Sequence, residues 1–131
     1  SDEDLPYDVN SDVVEIGDKE FGIFYLDAIE HADRYDGKTI RAKGRAFQME
    51  GMPKRCFLFG RHAMTCCEDD IGGIGYICQC IDRVPEREAW IWLTAKVEAG
   101  FSPVHNCDAI ILLEQRIEPA DPPKEELVYF N

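Results

Sequence analysis

Trp90-Ile91-Trp92-Leu93-Thr94-Ala95-Lys96-Val97 is the most regularly alternating stretch of the chain. One side of an extended backbone there carries only apolar residues: Ile91, Leu93, Ala95 and Val97. The other side carries Trp90, Trp92, Thr94 and Lys96. Because successive side chains of a strand point to opposite faces, this period of two predicts a β-strand with one buried face.

The same period of two recurs earlier in the chain, where apolar and basic residues alternate over residues 40–46. Gly44, in the middle of that segment, predicts a bulge or a bend where a sheet curls. Further strands are predicted over residues 56–64, 76–81 and 109–117, and a short edge strand over residues 13–16. The glycine-rich run at residues 71–75 is interpreted as a turn, because it lacks the strand-to-helix context of a phosphate-binding loop.

One helix is predicted ahead of the main strands, over residues 25–35. Leu26, Ile29 and Ala32 lie three residues apart and form an apolar stripe of helical period. Gly37 ends the helix, since glycine readily adopts the left-handed conformation that follows many helices.

These elements favour a mainly β fold. Five main strands with one N-terminal helix, and no alternation of helices with strands, argue against a parallel sheet. The sequence therefore predicts a small five-stranded antiparallel barrel of the oligonucleotide/oligosaccharide-binding (OB) type, because closure removes exposed strand edges. A β-sandwich is the alternative. Residues 1–12 are predicted to be a flexible acidic lead-in, 13–118 the OB-like domain and 119–131 a proline-rich acidic tail.

The charge balance is strongly acidic, with 14 Lys and Arg against 26 Asp and Glu and a net charge of -12. A barrel that grips nucleic acid needs a positive groove, so nucleic acid is not the expected partner. No apolar run reaches the roughly 20 residues of a membrane helix. The acidic start at Ser1 reads as a trimmed linker, so the chain is expected to be part of a longer protein that meets the membrane only through an anchor outside this sequence.

Six cysteines are many for 131 residues, and four of them suggest a metal site. A zinc-like divalent ion takes four ligands from thiolate, imidazole or carboxylate. Cys66 or Cys67 together with Cys78 and Cys80 would supply three sulfurs. The fourth ligand would come from His62, Asp69 or Asp70, while His105 is a further candidate because Cys107 follows it closely.

Other roles for the cysteines stay open. They are alternatively structural disulfides or buried thiols, which behave as small apolar groups. A redox or nucleophilic cysteine is the third alternative. No sequence motif of a nucleophile elbow, a phosphate loop or a zinc protease is present. We therefore expect a protein that is not an enzyme.

Trp90 and Trp92 share one face of their strand, and two roles are open for them. Aromatic side chains on OB strands stack on bases or sugars. Alternatively, the two indoles pack against the helix or the tail.

Several segments of the chain resemble one bacterial family. They are residues 35–44 (YDGKTIRAKG), residues 59–61 (FGR) leading into residues 64–67 (MTCC) with Asp70, then Trp90-Ile91, and the proline-rich end before Tyr129. Together they resemble the soluble C-terminal domain of the YcgQ-like bacterial membrane proteins (domain of unknown function 1980). The resemblance covers about residues 25–130, and its most distinctive part is Arg-x-x-x-Thr-Cys-Cys-x-x-Asp.

The resemblance implies a membrane permease as partner, a position outside the cytoplasmic membrane and an association with metal homeostasis. It makes Arg61, Cys66, Cys67 and Asp70 the motif positions of this chain. Cys78 and Cys80 lie outside the motif.

Three hypotheses follow. The first is an extracytoplasmic accessory domain that binds a metal ion or a partner through the Cys66-Cys67 region. The second is an OB interaction module whose Trp90 and Trp92 face recognises a protein, a glycan or a single strand, with structural cysteines. The third is a thiol redox protein.

Overall fold

The computed structural model describes residues 1–102 and 106–131, and strands dominate it. The strands are β1 (Val13–Ile16), β2 (Thr39–Phe47), β3 (Cys56–Met64), β4 (Ile71–Gln79), β5 (Trp90–Ser102), β6 (Cys107–Pro119) and β7 (Leu127–Val128). The α-helices are α1 (Phe21–Glu30) and the one-turn α2 (Ala32–Tyr35). Short 3-10 turns lie at Asp2–Asp4, Asp18–Glu20 and Glu68–Asp70. None of the helices within the described ranges combines the length and the apolar composition that a membrane-spanning helix requires.

All the strands belong to one sheet, in the order β1-β2-β5-β6-β4-β3-β7, and β2 also pairs with β3. This extra pairing joins β2, β5, β6, β4 and β3 into a ring. Four pairs of the ring are antiparallel, and β4 pairs in parallel with β6. The prediction of a purely antiparallel, five-stranded barrel is therefore corrected. Alternation of apolar and polar residues in the sequence does not tell whether two strands pair in parallel. It also could not reveal that β1 and β7, the two short strands near the chain ends, pair in parallel with β2 and β3.

The predicted alternation of β2 and β5 is confirmed. Ile40 lies opposite Ala95, Ala42 opposite Leu93, and Gly44 opposite Ile91, and all six are buried. The two strands therefore contribute one continuous wall of the core, and most of its other members come from β3, β4, β6, β1 and the helices. The ladder between β2 and β5 runs without a register shift through Gly44.

Gly44 is required for close packing. A Cβ at this position would lie 2.8 Å from the Phe59 ring and 2.9 Å from the Gly60 carbonyl oxygen. From Arg45 onward β2 pairs with β3. The glycine thus stands where β2 closes the ring.

The helix begins four residues before its predicted start and packs by a different face. Phe21, Phe24 and Ala28 are buried, whereas Leu26 and Ile29 are 40% and 38% exposed. The rings of Tyr35 and Tyr76 contact Phe24 edge-on at 5.4 Å and 6.0 Å. The larger aromatic surface decides the orientation, because burying more apolar area stabilises the fold more. Gly37 has φ +79°, as predicted for the helix end.

The glycine-rich run interpreted as a turn is part of strand β4. Gly73 pairs with His62 and Gly75 with Gly60, so the β3–β4 ladder passes straight through the run. A Cβ on Gly60 would collide with the backbone carbonyl of Ile74, and one on Gly75 with that of Phe59. Glycine here permits close backbone approach within a strand.

Both terminal segments contact the core. Val9 is 1% exposed, and the Tyr7 hydroxyl lies 2.6 Å from that of Tyr35. At the other end, β7 pairs with His62 and Ala63, and Val128 is 2% exposed.

Candidate metal site at the hairpin tip

The hairpin of β3 and β4 carries the motif cysteines on its tip. Its last ladder pair joins Met64 to Ile71, and residues 65–70 form the connection. The Asp70 amide donates to the Cys67 carbonyl at 2.9 Å, which closes the 3-10 turn. The Thr65 amide donates to the Asp70 carbonyl at 3.3 Å, so the tip is a tight backbone loop.

The tip gathers two sulfurs and a carboxylate. The Sγ atoms of Cys66 and Cys67 lie 3.5 Å apart. The Cys66 thiol donates to Asp70 Oδ2 at 2.7 Å. The three donor atoms lie within 4.8 Å of one another, and all three side chains are exposed. In a strand the two cysteines would point to opposite faces; the turn brings both sulfurs to one side.

The two thiols differ in acidity. Backbone hydrogen bonding from Asp69, and then the thiol of Cys66, lower the pKa of Cys67. The hydrogen bond to Asp70, and then the contact with Cys67, raise the pKa of Cys66. A donor to a thiolate stabilises its charge, while a neighbouring carboxylate disfavours it. Cys67 is therefore the thiol that ionises first.

Cys78 and Cys80 lie at the opposite end of the same hairpin. Cys78 pairs with Phe57, seven residues along β4 from Ile71, which at the usual rise is about 23 Å. Both thiols are buried. A hydrogen bond to Cys80 and burial raise the pKa of Cys78, and the same bond lowers the pKa of Cys80. The structure thus separates them from the tip and does not assemble the predicted four-ligand site.

Of the other predicted ligands, Asp69 belongs to the tip but not to the cluster, and His62 lies apart. The imidazole of His62 packs on the ring of Phe47, with centroids 5.0 Å apart, and it does not join the cluster at the tip. His105 lies outside the described residues. The structure holds all six cysteines as free thiols.

A protein-family comparison matches nearly the whole chain. The model of the DUF1980 C-terminal domain covers residues 2–130. The chain belongs to the DUF1980 C-terminal domain family. A comparison with curated proteins gave no match.

Arg61 is the buried member of the motif in this DUF1980 domain. It is 0% exposed, and its guanidinium lies 2.9 Å from Asp18 Oδ1. It also donates to the carbonyls of Glu125 and Glu126, at 3.2 Å and 3.3 Å. Burial lowers its pKa, while Asp18 acts in the opposite direction. Arg61 ties the C-terminal segment to the ring, and its role as a binding residue stays a prediction.

Trp90 and Trp92 lie beneath basic side chains. The guanidinium carbon of Arg41 is 4.1 Å from the Trp92 ring centroid, and the Lys43 ammonium is 5.2 Å from it. The guanidinium carbons of Arg45 and Arg61 lie 5.2 Å and 5.1 Å from the Trp90 ring. The indoles are therefore partly covered by cation–π contacts.

Sequence reasoning missed a recess beside the tip of the DUF1980 domain. Its floor is the bare backbone of Gly72 and Gly73, and its walls include Asp69, Asp70 and Phe130. A Cβ on either glycine would meet nothing within 4 Å. The run of glycines was the available signal, because glycines in a strand often mark a close approach by another group.

Proposed function

We propose that the DUF1980 C-terminal domain binds one thiophilic divalent ion, such as zinc, through Cys66, Cys67 and Asp70. The observation that carries this proposal is the convergence of two thiols and a carboxylate within 4.8 Å on an exposed tip. Thiolate and carboxylate are both ligands of zinc. The neighbouring Glu68 and Asp69, in a chain of net charge -12, favour the approach of a cation.

The spacing of the sulfurs supports a tetrahedral ion. Two thiolates bound to zinc at the usual bond length and angle lie about 3.8 Å apart, and the observed separation is 3.5 Å. A linear ion would need sulfurs on opposite sides of the metal and hence wider spacing. The Cys66–Asp70 hydrogen bond of 2.7 Å must open by about an ångström for both atoms to bind one ion.

Three protein ligands leave a tetrahedral ion one open position, which water or a donor from another molecule fills. An exposed ion with an open position exchanges more readily than one enclosed by four protein ligands. The arrangement therefore fits an accessory domain that acquires or transfers an ion. Exposure of all three ligands supports the same role.

We further infer that the strand ring is an OB-type barrel, since five strands in a partly open ring are typical of that fold. By its resemblance to the YcgQ-like proteins, we expect the domain to act outside the cytoplasmic membrane beside a membrane permease. Crosslinking of the full-length protein to that permease in intact cells would test this expectation.

Metal analysis tests the proposed site. Protein purified without a metal-affinity column is dialysed against zinc, and metal and free thiols are counted together by native and denaturing mass spectrometry. We expect about one ion per chain, lost in Cys66→Ser with Cys67→Ser. The matched control is Cys78→Ser with Cys80→Ser, which should keep the ion.

Two outcomes would contradict the proposal. One is less than about a tenth of an ion per chain while all six thiols are intact. The other is unchanged binding after both tip cysteines are replaced. If the ion is instead lost when Cys78 and Cys80 are replaced, the buried thiol pair is the site.

A further inference from the structure

Strand β4 has an unpaired edge next to the hairpin tip. It pairs with β3 from Ile71 to Gln79, but with β6 only at Cys78 and Gln79. Within the described part of the chain, no strand lies against the other edge of residues 71–74. Every second N–H and C=O of that segment points away from β3, as in any edge strand.

The edge lacks the usual protection against pairing. Natural edge strands carry charged side chains, proline or a bulge. The segment Ile71-Gly72-Gly73-Ile74 has no charge and no proline, and its ladder with β3 has no register shift. Ile71 is 44% exposed, and both glycines leave open space where a side chain would stand. Gly72 and Gly73 are themselves exposed, so the backbone of this segment is accessible to an approaching strand.

We propose that this edge accepts an extended, basic segment of a partner protein as an added β-strand. Main-chain hydrogen bonds would supply affinity, as in other cases of strand addition. The edge begins directly after Glu68, Asp69 and Asp70, and the chain has a net charge of -12. Lysine or arginine in the added strand complements this field, and charge complementarity steers association.

The same charges argue against a second copy of the chain as the occupant. Pairing two copies through β4 brings together two molecules of net charge -12, each with an acidic tip. Like charges across an interface disfavour association. The proposal does not depend on a bound metal, but a strand added here passes beside Cys66 and Cys67.

NMR with a defined peptide tests the proposal. The probe is a capped hexapeptide of alternating lysine and valine, added to the ¹⁵N-labelled chain at low salt. We expect amide shifts at residues 71–74 and slower hydrogen exchange there. The matched peptide of alternating glutamate and valine should bind at least about tenfold more weakly. High salt should weaken the binding of the lysine peptide.

Two variants locate the effect. Gly72→Lys and Gly73→Lys place a charged side chain in open space on the edge, so we expect each to fold and to lose about tenfold in peptide affinity. Asn10→Lys adds the same charge at an exposed position of the lead-in and should leave affinity within about twofold.

Three results would overturn the proposal. The first is a set of shifts confined to acidic residues outside 71–74, which means non-specific charge attraction. The second is unchanged affinity in both glycine variants. The third is a shift of residues 71–74 with protein concentration alone, which means that copies of the chain pair with each other.

Discussion

At the scale of single residues, the tip shows how a few hydrogen bonds make two adjacent thiols unequal. Cys66 and Cys67 are both exposed, so burial does not distinguish them. Asp70 accepts a hydrogen bond from the Cys66 thiol, which keeps that thiol protonated, whereas backbone N–H donors favour the thiolate of Cys67. Cys67 is therefore the better nucleophile near neutral pH, since the thiolate is the reactive form.

Timed alkylation checks this difference. With iodoacetamide near neutral pH, we expect Cys67 to react first and the buried Cys78 roughly tenfold or more slowly. Asp70→Asn should speed the alkylation of Cys66, because the carboxylate that raises its pKa is gone. Asp69→Asn is the control for lost charge and should change the Cys66 rate less. Peptide mass spectrometry measures the rates, and faster labelling of Cys66 than of Cys67 in the unaltered chain would contradict the assignment.

The raised pKa of Cys66 also sets the pH dependence of metal binding. A bound ion needs the thiolate, so it must displace the proton that Cys66 retains at neutral pH. Affinity should thus rise with pH and level off once pH passes the pKa of Cys66. Each proton that the ion displaces from a thiol adds about tenfold in affinity per pH unit, so the gain is about tenfold or more per unit while Cys66 is protonated. Competition titrations with a chelating dye between about pH 6 and pH 8 measure this slope, and an affinity that falls with rising pH would be inconsistent.

At the scale of elements, the strand glycines lie in two opposite environments, one tightly packed and one open. Gly44 has no room for a side chain because the Phe59 ring fills the space. Gly72 faces open space. The same residue type thus marks a tight core contact in β2 and an uncovered backbone in β4.

Replacing each glycine by alanine distinguishes the packed environment from the open one. Gly44→Ala should destabilise the fold by about 1–3 kcal/mol, because the new methyl group forces the Phe59 ring or the β3 backbone to move. Gly72→Ala should change the free energy of unfolding by less than about 0.5 kcal/mol. Urea denaturation followed by circular dichroism compares the two, and equal effects would show that the contact at Gly44 relaxes freely.

Sequence patterns predicted these elements unequally. The alternation in β2 and β5 was sufficient because one face of each strand is buried along most of its length. The helical stripe of Leu26 and Ile29 was misleading, since helical period alone does not tell which apolar face meets the core. Phe21 packs against Phe59 and Phe24 against Tyr76, and these partners, distant in sequence, are identified only by the fold.

The candidate site was predictable only as far as it is local. Cys66, Cys67 and Asp70 lie within five residues, and the family resemblance named them as motif positions. The residue pattern alone instead suggested that one of the two cysteines joins Cys78 and Cys80. The position of Cys78 and Cys80 relative to the tip depends on the register of the hairpin, which places both cysteines at its far end. Arg61 belongs to the motif, yet its buried contacts with Asp18 and the C-terminal segment require the tertiary structure.

At the scale of the whole molecule, Arg61 joins parts that are far apart in the chain. Its guanidinium bonds Asp18 and the carbonyls of Glu125 and Glu126. Arg61→Met removes these bonds but keeps a long side chain. We expect the free energy of unfolding to fall by roughly 2–4 kcal/mol and the C-terminal amides to exchange faster.

The control for Arg61 is Arg116→Met. Arg116 is exposed and pairs with Glu118 at 3.2 Å. Removing this ion pair should lower the free energy of unfolding by only about 0–1 kcal/mol. Metal stoichiometry should be unchanged in both variants, because neither residue contacts the tip. Loss of the ion in Arg61→Met while the chain stays folded would instead make Arg61 part of the binding site.

The shortness of the tip has a consequence for how metal and folding are linked. Because its three ligands lie within five residues of one another, an unfolded chain still presents them close together. An ion that binds folded and unfolded chains alike shifts the unfolding equilibrium little. Saturating zinc should therefore raise the melting temperature by less than about 3 °C, as calorimetry can measure. Such a domain gains and loses its ion without unfolding, so its metal occupancy follows the supply of the ion rather than the folded fraction of the protein.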